Sequence, residues 1–177
     1  MKILKRILLA IVAIIVLVLL IALFVKKEYT VQRDIVINRP VAEVFEYIRF
    51  SKNQENYNKW WKADPNSKRE YRGTDGTKGF VVAWDSKDNS VGAGAQEIKN
   101  IEPGNRIDFE IRFKRPFEGI SQVYMATEPV NDKQTKLTWV FSGKSKYPMN
   151  LMNLFIDNML GKDMQTSLND LKSILEK

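Results

Sequence analysis

The hydrophobic positions follow three different periods along the chain. From Ile7 to Val25 there is no period, because every residue is Ile, Leu, Val, Ala or Phe. As a helix these residues would span roughly 28 Å, close to the roughly 30 Å apolar core of a bilayer. A helix packed in a protein core keeps a polar stripe, and this stretch has none. A cleaved signal sequence has a shorter apolar region, roughly 7–15 residues, followed by small residues at the cleavage site. The run Phe24-Val25-Lys26-Lys27-Glu28-Tyr29 offers no such site. The pattern predicts an uncleaved membrane anchor over residues 1–28, with a transmembrane helix at about 7–25, and a second unit over 29–177.

The second unit opens with a strand at Tyr29–Ile37. Tyr29, Val31, Ile35 and Ile37 share one side, and Arg33 interrupts that apolar face. Asn38-Arg39-Pro40 is a helix-start signal, and Val41, Val44, Phe45 and Ile48 then recur at helical spacing. A second short helix is predicted from Ser51 to about Trp60. From residue 67 to 143 the period becomes two, most cleanly where Ile107, Phe109, Ile111 and Phe113 alternate with Arg106, Asp108, Glu110 and Arg112. Such alternation belongs to an antiparallel sheet with one wet face and one buried face. Lys78–Trp84, Gly119–Glu128 and Thr135–Ser142 are further strands, separated by turns at Gly73–Gly76, Asp88–Ser90, Pro103–Asn105 and Asn131-Asp132. The last segment returns to helical spacing: Met152, Ile156, Leu160, Met164, Leu168, Leu171 and Leu175 share a face, which Leu151, Phe155 and Met159 widen. This predicts an α+β domain: a curved antiparallel sheet of about seven strands gripping a long C-terminal helix, with two short helices after the first strand.

Composition narrows the chemistry. The 177 residues include no cysteine and no histidine, which excludes disulfides, thiolate or imidazole catalysis and Cys- or His-ligated metals. The formal charge is +7, but Lys2, Lys5, Arg6, Lys26 and Lys27 against Glu28 supply more than half of it. The unit beyond the anchor is nearly balanced, unlike a nucleic-acid binder with a concentrated basic face. The more basic flank lies before the apolar run, so the positive-inside tendency favours a domain outside the cytoplasm. The expected location is therefore a bacterial plasma membrane, crossed once.

The stretch from Tyr29 to Lys177 resembles the SRPBCC superfamily, the START-like and birch-pollen-allergen-like helix-grip domains that include polyketide cyclases and lipid-transfer proteins. The resemblance is carried by Arg33-Asp34-Ile35-Val36-Ile37-Asn38-Arg39-Pro40-Val41-Ala42-Glu43-Val44-Phe45, by Tyr57-Asn58-Lys59-Trp60-Trp61 and by Tyr147-Pro148-Met149-Asn150-Leu151-Met152 before the long helix. It implies a cavity between sheet and helix that is open to small apolar or amphipathic ligands. Candidates to line it are Trp60, Tyr71, Phe80, Trp84, Phe109, Val123, Met125, Trp139, Phe141, Met149, Met152, Phe155 and Met159. Each could equally fill a solid core. Met149, Met152, Met159 and Met164 tilt the group toward an adaptable pocket, since the thioether fits irregular shapes.

Polar candidates are few. Arg33 shares a strand face with apolar residues, or reaches solvent at a sheet edge. Gln96 and Glu97 are adjacent, so one of them faces inward. Asp108, Glu110 and Arg112 belong to the wet face as cross-strand pairs. The resemblance supplies no catalytic residue, because the family's cyclases share no universal motif. Nucleotide and metal motifs fail on inspection. Gly92-Ala93-Gly94-Ala95-Gln96-Glu97 has Glu where a dinucleotide fingerprint needs Gly, Gly143-Lys144-Ser145 lacks the first glycine of a P-loop, and Asp85–Asn89 has Lys where a calcium loop needs oxygen. The expectation is a tethered binding domain for a lipid or other small hydrophobic ligand, without cofactor, metal or nucleic acid. A cyclase- or dehydratase-type enzyme and a protein-interaction module are the alternatives. The oligomeric state is open.

Overall fold

The computed structural model describes residues 2–177. Helix α1 (Lys2–Phe24) is followed by β1 (Glu28–Ile37), α2 (Val41–Arg49), α3 (Gln54–Tyr57), α4 (Lys59–Ala63), six further strands and α5 (Ile156–Leu175). The strands are β2 (Lys68–Arg72), β3 (Val81–Asp85), β4 (Ala93–Glu102), β5 (Arg106–Arg115), β6 (Gly119–Asn131) and β7 (Gln134–Lys144). All seven form one antiparallel sheet in the order β1-β7-β6-β5-β4-β3-β2. Tight turns join β4 through β7, so each strand pairs with the next. Gly104, with φ of +73°, occupies the turn position that L side chains avoid. The α+β helix-grip architecture expected from the periodicities is present.

Side-chain alternation sets the layers. Rows of inward residues cross the sheet in register, for example Ile98, Phe109, Val123, Phe141 and Val31 on β4, β5, β6, β7 and β1. The C-terminal two-thirds of α5 lies on this face through Met164, Leu168 and Leu171, all fully buried. Val44, Phe45 and Ile48 of α2 complete the core at that end. On the outer face Arg112 bridges Glu97 and Glu110, while Arg106 pairs with Asp108 and stacks on Tyr124. Asp108, Glu110 and Arg112 are thus the cross-strand charge network the alternation predicts.

Three elements depart from the sequence expectation. The helix expected over Ser51–Trp60 is three short pieces, a 3-10 turn at Ser51–Asn53 followed by α3 and α4. Asn58 divides them: it is extended, and its side-chain oxygen accepts from the Trp60 amide at 3.1 Å, starting α4 anew. The C-terminal helix begins only at Ile156, because Met149–Leu154 forms a separate 3-10 segment. Finally, β1 starts at Glu28, so Val25–Lys27 alone separate it from α1. The Lys27 carbonyl already accepts from the Ser145 amide at 2.8 Å.

Helix α1 is long and apolar enough to cross a membrane, and its side chains are almost all exposed. Its last turns touch the domain. Ala22 is fully buried, and the Asn150 side-chain amide donates to the carbonyls of Ala22 and Val25 at 2.6 and 2.8 Å. These are carbonyls a helix end leaves without intrahelical partners.

Candidate functional site

The inward face does not close on itself everywhere. Between α4, the first turns of α5 and the sheet lies a cavity of about 230 Å³. Its floor is Phe109, Val123, Met125, Trp139 and Phe141, all buried, and its walls are Trp60, Trp61, Trp84, Ile111, Phe113 and Leu160. Every tryptophan in the chain lines it. Trp60 meets Trp139 edge-on with ring centroids 6.2 Å apart, and Trp84 meets Phe113 likewise at 6.0 Å. Gly94 makes room for the second pair. A Cβ there would stand 2.6 Å from both the Trp84 ring and the Arg112 carbonyl oxygen.

Polar groups in the cavity are sparse and unevenly satisfied. Asn58 donates to Gln54 at 3.2 Å, so these two buried amides partner each other. By contrast, Gln96 Nε2 and Trp139 Nε1 are buried donors without a protein acceptor. A buried donor left unpaired costs roughly 1–3 kcal/mol, so a site that retains two of them is suited to a molecule bringing its own acceptor. The charged lining residues are Arg69 and Arg115. Arg69 is held by Glu55 at 3.0 Å, by the Trp61 carbonyl at 2.8 Å and over the Trp61 ring, and Arg115 binds Asp85 and the Ser86 carbonyl. Arginine stays protonated, so neither serves as a base at neutral pH.

The structure distributes the sequence candidates as follows. Trp60, Trp84, Phe109, Val123, Met125, Trp139, Phe141 and Gln96 meet in the cavity. Phe80 is buried beyond it, stacked on the exposed Tyr71 with centroids 6.3 Å apart. Met149, Met152, Phe155 and Met159 are exposed and lie outside it, because the 3-10 segment turns away from the sheet to meet the end of α1. Of the adjacent pair, Gln96 faces inward and Glu97 outward. Hydrogen bonds from Lys99 and Arg112 hold the Glu97 carboxyl below the usual carboxylate range.

Arg33 does not enter the cavity; it lies on the edge strand β1 with its side chain 26% exposed. Its guanidinium donates to both carboxylate oxygens of Asp157, at 2.9 and 3.0 Å, and to the Asp157 carbonyl at 3.0 Å. It does so by crossing Gly161, whose missing Cβ would collide with it. The ion pair lowers the pKa of Asp157 and raises that of Arg33. Arg33 therefore clamps the start of α5 to β1, a structural role.

Sequence reasoning does not reach Gln54, Asn58, Trp61, Arg69, Arg115, Leu160 and the loop residues Ser67, Ser90, Val91 and Pro116. Ile111 and Phe113 were in the inward set of the β5 alternation and could have been found from it. Among the described residues no cluster of acidic side chains is placed to hold a metal ion.

Known structures share this geometry. The Zhui aromatase/cyclase from Streptomyces sp. R1128 superposes with a TM-score of 0.63 at 12% identity, covering 84% of this chain and 94% of its own. Ara h 8.0201 gives 0.59 at 14%, covering 84% and 97%. A Chromobacterium violaceum protein gives 0.59 at 16%, with the same coverages. At such identities the likeness establishes the fold alone. No curated protein sequence matches the chain. The family described as polyketide cyclase / dehydrase and lipid transport matches residues 28–176, and the chain belongs to that family.

Proposed function

We propose that the protein is a membrane-tethered binding domain that holds a small apolar molecule carrying a hydrogen-bond acceptor. The observation that carries this reading is the cavity itself, with aromatic and aliphatic walls and two unpaired donors, Gln96 Nε2 and Trp139 Nε1. Its volume of about 230 Å³ lies just under the roughly 300–1,000 Å³ of typical small-molecule pockets. The occupant is therefore a small molecule, or one end of a longer lipid whose remainder stays outside. The lining supports binding over catalysis, since its ionisable groups are the two arginines and a proton-transfer step has no base there. The tether is α1, with Lys2, Lys5 and Arg6 at its start leaving the domain outside the cytoplasm.

Native mass spectrometry of the full-length protein released from membranes tests the reading. The unaltered protein carries a bound apolar species, and V123F, which pushes a ring into the cavity from its floor, does not. A folded, unaltered protein with no bound species and no uptake of added apolar molecules overturns it. The tether is tested separately by alkaline extraction, in which the protein stays with the membrane pellet.

A further inference from the structure

Strand register places one end of the sheet beside the end of α1. Glu28 opposes Lys144, Phe113 opposes Gly119, Ala93 opposes Arg115 and Asp85 opposes Ala93, and all of these lie at the end where the chain enters β1 from the helix. The cavity opens at the same end. Its exposed lining residues, Ser90, Pro116 and Arg115, belong to the loops there and to the last position of β5, while its far end is closed by the buried Phe109 and Met125.

The helix is joined to this end firmly. Asn150 binds the Ala22 and Val25 carbonyls, Asn153 binds those of Lys26 and Lys27 at 2.9 and 3.0 Å, and the Tyr147 hydroxyl donates to Leu19 at 3.3 Å. Leu19 lies five residues before Phe24, about 7.5 Å down the helix axis at about 1.5 Å per residue. The 147–155 segment therefore flanks the last turns of α1 rather than standing above them. That depth matches the roughly 5–10 Å to which interfacial apolar faces enter a bilayer.

The side chains around the opening are apolar and exposed. Phe117 is 67% exposed, Met152 45%, and Leu154, Phe155 and Met159 between 55% and 59%. They come from the β5–β6 turn, the 3-10 segment and the start of α5, three elements that converge only at this end. Lys26, Lys27 and Lys146 are exposed beside them, as are Glu118 and Asp157. Exposed apolar side chains gathered at one end of a domain mark an interaction surface. The side-chain clamps on α1 decide what lies against it.

We propose that the domain sits mouth-down on the bilayer, with this rim in the interface, so that the ligand passes between cavity and membrane without crossing water. The inference rests on the reading of α1 as a tether and adds an orientation to it. It explains why the α1-proximal methionines and Phe155, which share a helical face with core residues in the sequence, are left uncovered by protein. It also assigns the ligand class: a bilayer-resident amphiphile, part of which remains among the lipid chains while its polar end meets Gln96 and Trp139.

The absence of native cysteine makes the test direct, because a single introduced Cys carries the only label. Full-length L9C, F117C, L154C and K133C, each labelled with a nitroxide, are reconstituted in vesicles of phosphatidylcholine and phosphatidylglycerol. Collision accessibility is then measured with oxygen, which concentrates in lipid, and with a water-soluble nickel chelate. Labels at 9, 117 and 154 are expected to favour oxygen, and the label at 133, in the β6–β7 turn at the opposite end of the sheet, to favour nickel. If 9 favours oxygen but 117 and 154 match 133, the tether stands and the mouth-down orientation is wrong. If 9 also favours nickel, the tether reading falls and this inference with it. Adding N150A and N153A to L154C should shift that label toward nickel. An unchanged profile would show that the clamps do not set the orientation and would overturn that part of the argument.

Discussion

The sharpest consequence of the cavity chemistry is that one substitution should raise stability while it lowers ligand affinity. Gln96 is buried and its amide nitrogen has no protein acceptor. Q96M keeps nearly the same length and flexibility and removes the donor. An unpaired buried donor costs about 1–3 kcal/mol, and the new thioether regains apolar contact with Ile111 and Val82, its neighbours across the strands. A gain of about 1–2 kcal/mol is therefore expected, because some of the penalty is relieved wherever the free cavity admits water. For a domain of roughly 150–250 residues each kcal/mol moves the midpoint by about 2–4 °C, so thermal unfolding followed by circular dichroism in detergent should rise by about 2–8 °C. The same variant loses one hydrogen bond to a ligand acceptor, about 0.5–1.5 kcal/mol, or roughly two- to tenfold in Kd. A Q96M protein that is less stable than the original, with affinity unchanged, would refute the assignment of Gln96 as a donor held open for ligand.

Further outcomes follow from the same geometry. The Arg33–Asp157 pair is bidentate but Asp157 is well exposed, so a double-mutant cycle of R33M and D157N should return a coupling of about 0.5–1 kcal/mol, measured by urea unfolding. Because the pair lowers the Asp157 pKa, its contribution is present above the unfolded carboxylate value of about 3.9 and is lost as pH falls below it. D157N should accordingly be less sensitive than the original between about pH 4 and pH 2. G94A should destabilise by about 1–3 kcal/mol, since its Cβ meets the Arg112 carbonyl and the Trp84 ring at 2.6 Å. It should also perturb tryptophan emission.

Much of the fold could be read from periodicity alone. The switch from unbroken apolar residues to period two and then to helical spacing located α1, the sheet and α5, because each element has one dominant burial environment. The reading failed where a segment serves two partners. Met152, Phe155 and Met159 lie in phase with Leu160, Met164 and Leu168, yet Asn150 and Asn153 turn Met149–Leu154 toward the carbonyls at the end of α1 and in the connector after it. No local signal distinguishes an asparagine that caps a distant helix from one in a loop. Arg33 posed the same difficulty: its partner is 124 residues away and its space is made by Gly161, two facts that only the tertiary fold brings together. The cavity floor was legible because alternation sorts strand residues by face. Its loop-borne rim was not, since loops have no period.

Tryptophan emission offers the most direct test of the central claim, because all four indoles line the cavity. Full-length protein in nanodiscs is titrated with octanone and, in parallel, with octane, two probes of similar size that differ in one carbonyl acceptor. Saturable changes with both are expected, with octanone binding about two- to tenfold more tightly than octane, the share of one hydrogen bond. That preference should shrink in Q96M, which leaves Trp139 Nε1 as the one unpaired donor of the two. Emission that responds to neither probe, or equally to both in the original and in Q96M, would contradict a cavity built to hold an apolar body by its acceptor end.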